Sequence, residues 1–137
     1  LSKTLTDDSI AQNGIVSLLQ IECDKVTNFK TCQFRVDPSL KSLQLSYEVK
    51  SILVRIAQEF IQNSIKHADC QSIQIALLKT DNLLEIILED DGKGFNTQVT
   101  GKGIGLNNIK KRTEMIHGSY HIKSQNTGTK LTIQIPI

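Results

Sequence analysis

The 137-residue sequence lacks most features that would assign it to a specialised class of protein. Its 16 basic and 14 acidic residues leave a formal net charge of +2, which is too small to indicate a nucleic acid or membrane surface as partner. No apolar run approaches the roughly 20 residues that a bilayer-spanning helix needs. The first residues show no charged and apolar regions typical of a secretory leader, so none is expected.

Cysteine is scarce. Cys23, Cys32 and Cys70 are odd in number and widely spaced, and His67 is the one histidine close to any of them in sequence, so neither a zinc site nor a disulfide framework is predicted. We therefore expect a reducing compartment.

Repeats, low-complexity tracts and Pro/Ser-rich linkers are also missing, which predicts a single domain over residues 1–137.

Hydrophobic periodicity predicts helices over residues 9–28, 46–67 and 104–117. Gly14 weakens the first turn of the first helix. Ser46 is the expected N-cap of the second helix, and Gly118 is the expected end of the third. Strands are predicted at residues 32–36, 73–77, 83–88, 120–122 and 131–137, with turns near residues 80–82 and 126–128. This order of elements predicts an α+β sandwich, in which helices cover one face of a mixed, mostly antiparallel sheet.

The second predicted helix carries Glu59, Asn63 and Lys66 along one edge of its apolar face. An amide oxygen such as that of Asn63 suits Mg²⁺, and a lysine one turn later supplies charge for phosphate. Glu59 can act as a general base on a water or a nucleophile. The alternative is an ordinary solvated helix margin, which this spacing also allows.

A first glycine cluster, E-D-D-G-K-G-F, follows an interior strand and contains Asp90, Gly92 and Gly94. Glycine lets backbone approach a planar ring closely, and an ionised carboxylate accepts hydrogen bonds, so Asp90 would select an amino group such as that of adenine. The alternative is a plain hairpin turn.

A second cluster, G-K-G-I-G-L, leads into the third predicted helix and contains Gly101, Lys102, Gly103 and Gly105. Free backbone amides at a helix N-terminus bind phosphate, and residues 96–100 before them have the polar composition of a lid. The alternative is a flexible loop with a helix cap.

Outside these clusters, the run Lys110-Lys111-Arg112 is interpreted as a solvated helix face, and His117 and His121 are interpreted as surface or structural residues.

Together these segments resemble the ATP-binding catalytic domain of a bacterial sensor histidine kinase, within the GHKL ATPase superfamily. The run R-I-A-Q-E-F-I-Q-N-S-I-K-H-A at residues 55–68 resembles the N-box, and the two glycine clusters resemble the glycine boxes. The closing G-T-K-L-T-I-Q-I-P-I at residues 128–137 resembles the final strand. An acid at position 59, K-H-A at 66–68 and a short lid are most similar to the nitrate-sensor and LytS-like branches. The resemblance implies a Bergerat fold.

The resemblance also implies roles for individual residues. Asn63 is expected to coordinate Mg²⁺, Lys66 to contact phosphate and His67 to lie beside the nucleotide. Asp90 is expected to bond the adenine amino group, in a pocket shaped by Gly92 and Gly94 and supported by Thr129. The phosphates are expected against Gly101, Lys102, Gly103, Gly105 and Leu106. Glu59 matches the acid that activates water in hydrolysing members, and Asp91 departs from the usual Asn and is expected to add charge near the ligand.

The implied function is a histidine protein kinase domain that binds Mg·ATP and passes the γ-phosphate to a histidine on an upstream dimerisation domain. None of His67, His117 and His121 lies in a suitable acceptor helix. Because the chain begins at Leu1, we expect it to be part of a longer protein, with residues 1–8 forming the tail of that upstream helix. The parent is expected to be a homodimeric, membrane-anchored sensor that signals to a response regulator, and this cytoplasmic part to be a monomer. The alternatives are a nucleotide-sensing pseudokinase, an anti-sigma-type serine kinase or ATPase, and a structural interaction domain.

Overall fold

The computed structural model of the chain describes residues 7–67, 70–93 and 104–137. Its helices are α1 (Asp7–Gln12), α2 (Ile15–Val26), α3 (Tyr47–His67) and α4 (Ile104–Met115), and a 3-10 turn covers Pro38–Leu40. Its strands are β1 (Thr31–Val36), β2 (Ser72–Thr80), β3 (Leu83–Asp90), β4 (Ser119–Gln125) and β5 (Gly128–Pro136). Among the described residues, no helix combines the length and hydropathy needed to cross a bilayer.

The five strands form one sheet in the order β1-β2-β3-β5-β4. β1 is parallel to β2, whereas the β2–β3, β3–β5 and β4–β5 pairs are antiparallel. The predicted mixed, mostly antiparallel sheet is therefore confirmed. β3 lies at its centre, with β2 on one side and β5 on the other.

The hydrophobic core lies between the helices and one face of the sheet. Side chains alternate between the two faces of a strand, so every second residue of the inner strands is buried. These buried residues are Ile73, Ile75, Leu77, Leu84, Ile86, Leu88, Leu131, Ile133 and Ile135. The same cluster includes Leu18 and Leu19 of α2, Ile56 and Phe60 of α3, and Ile109 of α4.

The start of α3 was predicted correctly. The Oγ atom of Ser46 accepts a hydrogen bond from the backbone N–H of Val49 at 3.2 Å, as an N-cap does. α3 then runs without interruption to His67. It carries Glu59, Asn63 and Lys66 in its second half.

The predicted helix over residues 9–28 is wrong near its start, because the chain breaks into α1 and α2 at Asn13 and Gly14. Gly14 is extended, with φ −75° and ψ 164°, and the side chain of Asn13 donates to the carbonyl of Ser9 at 2.7 Å. The ammonium group of Lys50 in α3 donates to the carbonyls of Ala11 and Asn13 at 3.3 and 2.9 Å. A contact from a distant helix therefore fixes the break.

The three cysteines are free. Sequence spacing separates Cys23 from Cys32, but the fold places their thiols in hydrogen-bonding contact, one on α2 and one on β1. Burial raises the pKa of both thiols and also that of Cys70. All three thiols are therefore poor nucleophiles at neutral pH.

α4 ends in a Schellman motif whose residues differ from the predicted ones. The N–H groups of Gly118 and His117 donate to the carbonyls of Thr113 and Glu114 at 2.9 and 3.2 Å, respectively. His117, rather than Gly118, adopts the left-handed conformation, with φ 59°. Gly118 is required for packing instead, because a Cβ atom there would lie 2.7 Å from Cγ2 of Ile135.

Replacing His117 with glycine should stabilise the protein. The left-handed conformation strains a residue that has a Cβ atom, so we expect His117→Gly to raise the free energy of unfolding by about 1 kcal/mol. Urea titration of both proteins measures the change. Gly118→Ala is the matched control and should lower the stability. A His117→Gly protein no more stable than the original would show that the strain at this position is negligible.

Candidate functional site

Asp90 is the last residue of β3 and faces the helices. The sheet register pairs it with Ile73 of β2 and Thr129 of β5, whose side chains lie on the same face. Asp90 is only 6% exposed and Thr129 only 2%. A carboxylate therefore lies at the end of the core, where α3 passes over the sheet.

Donors from three parts of the chain hold the Asp90 carboxylate. Its Oδ1 atom accepts hydrogen bonds from the backbone N–H groups of Gly92 at 3.0 Å and Thr129 at 3.2 Å. Its Oδ2 atom accepts one from the Oγ–H group of Ser64 at 2.6 Å. A buried charge requires such donors. They fix the orientation of the carboxylate relative to α3.

One acceptor position of Oδ2 remains when the hydrogen bonds from described residues are counted. A carboxylate has about four lone-pair positions, of which Gly92, Ser64 and Thr129 use three. The remaining position can accept an N–H group such as the amino group of adenine. The donor set around Asp90 therefore fits a nucleotide base.

Ser64 is a site residue that the sequence analysis missed. It is 2% exposed on the inner side of α3, next to Asn63, and its hydroxyl also lies 2.9 Å from the carbonyl of Phe60. A hydroxyl has one proton, so Ser64 donates to Phe60 or to Asp90 but not to both at once. The sequence did contain a signal that could have identified Ser64, namely a small polar residue at a position of the helix that faces the core.

Asn63 and Lys66 lie on α3, the helix that also carries Ser64. Asn63 is half-buried and Lys66 is exposed. Because Ser64 contacts Asp90, its neighbour Asn63 is also at the Asp90 end of the sheet. One neutral oxygen ligand suits Mg²⁺, which takes most of its coordination from water and phosphate.

Glu59, the predicted general base, forms an ion pair with Arg112 of α4. Its Oε1 atom contacts Nη1 of Arg112, whereas its Oε2 atom is buried and has no hydrogen-bond partner within the described part of the chain. Burial, followed by repulsion from Arg55, lowers the pKa of Arg112. The predicted solvated face is thus correct for Lys110 and Lys111, which are exposed, and wrong for Arg112.

Asp91 anchors β2. Its Oδ1 atom accepts hydrogen bonds from the N–H groups of Gln71 and Ser72 at 2.8 and 2.9 Å, and its Oδ2 atom accepts one from the Ser72 hydroxyl at 3.1 Å. The hydrogen bond from the Ser72 N–H contributes most to lowering the pKa of Asp91. These contacts favour the charged form of Asp91, and the expectation that its charge lies near the ligand stays a prediction.

Gly128 and Thr129 close the site from β5. Gly128 has φ 147°, and a Cβ atom there would lie 2.1 Å from the carbonyl oxygen of Asp90. Only glycine lets the two strands approach this closely. The Oγ1 atom of Thr129 is 2.8 Å from Oγ of Ser124 in β4.

Several predicted binding residues cannot be placed in the site. Gly94, Gly101, Lys102 and Gly103, together with the predicted lid at 96–100, lie outside the described residues. For His67, Gly105 and Leu106 only the backbone is described: His67 ends α3, and the other two are in the first turn of α4. The predicted contacts of all these residues with phosphate and base stay predictions.

Two shallow depressions within the described chain open at the Asp90 end of the sheet, and Glu89, Asp90 and Thr127 line both of them. Outer-face residues such as Gln74, Lys123 and Lys130 complete their linings. We assign the site to the opposite face, because the Asp90 carboxylate contacts Ser64 of α3. The outer depressions are open and lined by mixed charges, which does not suit a purine.

Comparisons with known proteins identify the family of the chain. Residues 48–137, more than half of the chain, match the family described as histidine kinase-, DNA gyrase B- and HSP90-like ATPase. The chain therefore belongs to this family of ATPase domains.

Solved histidine kinases have the same fold. The histidine kinase domain of the Erythrobacter litoralis EL346 blue-light activated kinase is 16% identical, with a TM-score of 0.74 over 89% of this chain and 60% of that one. Full-length ShkA, solved in complex with AMPPNP, is 15% identical, with a TM-score of 0.73 over 90% and 30%. Acinetobacter baumannii AdeS is 16% identical, with a TM-score of 0.67 over 94% and 64%. The chain thus spans less than two thirds of each of these proteins.

The role of Asp91 predicts a pH-dependent contribution to stability. Since its folded pKa is lowered, the contribution is present above its ordinary value near 4 and disappears as the pH falls through the folded value. Replacing Asp91 with Asn should lower the free energy of unfolding by about 1 kcal/mol at pH 7, a modest loss because the carboxylate is exposed. Urea titrations at pH 7 and pH 3 measure this difference.

Glu114→Gln, which removes an exposed carboxylate from α4, is the control and should leave stability nearly unchanged at both pH values. An Asp91→Asn loss that persists undiminished at pH 3 would contradict the assignment.

Proposed function

We propose that the chain binds Mg·ATP between α3 and the turn after β3, and that it supplies the γ-phosphate to a histidine on an upstream dimerisation domain. The observation that carries the proposal is the buried Asp90 carboxylate, held by Ser64, Gly92 and Thr129 with an acceptor position remaining. Membership of the ATPase family supports ATP as the ligand. The fold shared with histidine kinases, one of them solved with AMPPNP, supports transfer to histidine.

Each part of the site has a distinct task in this function. Asp90 accepts a hydrogen bond from the adenine amino group and so orients the nucleotide. Asn63 supplies an oxygen ligand to Mg²⁺, which when bound neutralises phosphate charge. Lys66 adds a positive charge toward the phosphates. Phosphoryl transfer needs mainly positioning and charge neutralisation, which these residues provide.

In the transfer step, a nitrogen lone pair of the acceptor imidazole forms a bond to the γ-phosphorus. The bond from phosphorus to the β–γ bridging oxygen breaks, and its electron pair leaves with ADP. The phosphohistidine would then serve a response regulator in two-component signalling. We propose a homodimeric, membrane-anchored parent, in which this domain is cytoplasmic and monomeric when separate.

Asp90 and Asn63 should affect nucleotide binding in different ways. Asp90→Asn preserves shape but replaces the adenine acceptor with a donor, so ATP affinity should fall by about 2 kcal/mol, roughly 30-fold. Asn63→Asp should leave adenine binding intact while changing the dependence of affinity on Mg²⁺. Calorimetric titration with AMPPNP, with and without Mg²⁺, measures both.

Asp91→Asn is the matched control for Asp90→Asn, because it removes the same charge one residue away and should keep the affinity. Unchanged affinity in both the Asp90 and Asn63 variants would place the nucleotide elsewhere. A wild-type chain whose melting temperature does not rise with Mg·AMPPNP would contradict nucleotide binding altogether.

The chain by itself should not become phosphorylated. With no acceptor histidine of its own, it should stay unlabelled after incubation with γ-labelled ATP. A longer protein that contains the upstream helices should acquire acid-labile label. Label on His67, His117 or His121 would contradict this prediction. Tight nucleotide binding without transfer in the longer protein would favour a nucleotide-sensing pseudokinase.

A further inference from the structure

The contact between Glu59 and Arg112 joins the two helices that flank the candidate nucleotide site. Glu59 lies one turn before Asn63 on α3, and Arg112 lies about two turns after the start of α4. Their side chains are 22% and 29% exposed, respectively. A partly buried ion pair is screened by solvent less than a surface pair is.

Under the proposed function Asn63 holds Mg²⁺, so Glu59, one turn before it on α3, is the candidate base for a water that attacks the phosphate. A general base must accept a proton from that water while the water oxygen attacks phosphorus. Accepting a proton would neutralise Glu59 and remove its attraction to Arg112. The ion pair therefore opposes the action of Glu59 as a base.

Removing the guanidinium would change the behaviour of Glu59. Within the described residues, Arg112 is the polar partner of the Glu59 carboxylate. It contacts Oε1, whereas Oε2 is buried and has no hydrogen-bond partner among those residues. A partly buried carboxylate without a cation gains by accepting a proton. Arg112 thus decides whether Glu59 is a paired anion or an available base.

Water and imidazole differ in their need for this base. A water molecule must lose a proton from the oxygen that attacks phosphorus. A neutral imidazole attacks through a ring nitrogen that carries a lone pair and no proton. Withholding the base therefore slows attack by water and does not hinder attack by imidazole.

We propose that Arg112 is a specificity-determining residue, which suppresses ATP hydrolysis by holding Glu59 in an ion pair and so reserves the γ-phosphate for the histidine acceptor. This inference rests on the proposed function. In the suppressed reaction the water oxygen bonds to the γ-phosphorus, and the bond to the β–γ bridging oxygen breaks. The electron pair leaves on ADP, and the water proton passes to Glu59 and then to solvent, which leaves ADP and inorganic phosphate.

Four variants of the chain test the proposal: Arg112→Gln, Glu59→Gln, the double variant, and Lys111→Gln. Steady-state phosphate release and calorimetric affinity for Mg·AMPPNP are measured for each. A general base contributes 10²–10⁴-fold, so partial release of Glu59 in Arg112→Gln should raise hydrolysis about tenfold, with affinity within about threefold of wild type. The double variant should return to the rate of Glu59→Gln. Lys111→Gln removes a neighbouring exposed charge and should hydrolyse ATP like wild type.

Two results would overturn the proposal: hydrolysis in Arg112→Gln that is no faster than in wild type, or a rise that persists in the double variant. If Arg112→Gln does not fold, Arg112→Lys keeps a cation but loses the planar guanidinium, and it should show a smaller rise. No rise in Arg112→Lys would then count against the proposal. A wild-type chain that does not bind Mg·AMPPNP would overturn the proposed function itself. Binding with unchanged hydrolysis would overturn only the role of Arg112.

Discussion

The structure depends most on the burial of one carboxylate at the end of the central strand. An ionised group in the core is tolerated only where donors replace the water it has lost. Asp90 takes these donors from α3, from the turn after β3 and from β5. The same three hydrogen bonds that make the buried charge tolerable also fix the direction in which it can receive a ligand. Stability and recognition are thus linked through one side chain.

The sequence predicted the fold well where hydrophobic periodicity decides it. The β2–β3 hairpin and the α3 helix follow from residues that alternate or repeat every three to four positions. The break between α1 and α2 was missed because apolar spacing continues across it. Its stabilising contact comes from Lys50, 37 residues beyond Asn13. Contacts between distant segments leave little trace in local patterns.

The candidate site shows the same limit. Asp90 was predicted because an acid followed by two glycines is a recognisable pattern, whereas Ser64 resembles any small residue on a buried helix face. The run Lys110-Lys111-Arg112 looked uniform, but successive residues of a helix point about 100° apart, so only the third turns toward α3. The role of Asp91 in holding the start of β2 was missed because its hydrogen-bond partners lie 19 and 20 residues earlier in the chain.

The position of Thr129 affects how the protein matures on the ribosome. Its N–H group reaches Asp90 across 39 residues of chain, and β5 is the last of the described strands in chain order. Until that strand emerges, β3 has an unpaired edge and the acid at its end lacks one of its donors. The nascent domain therefore completes the donor set around Asp90 only when β5 has emerged, after the helices that flank it.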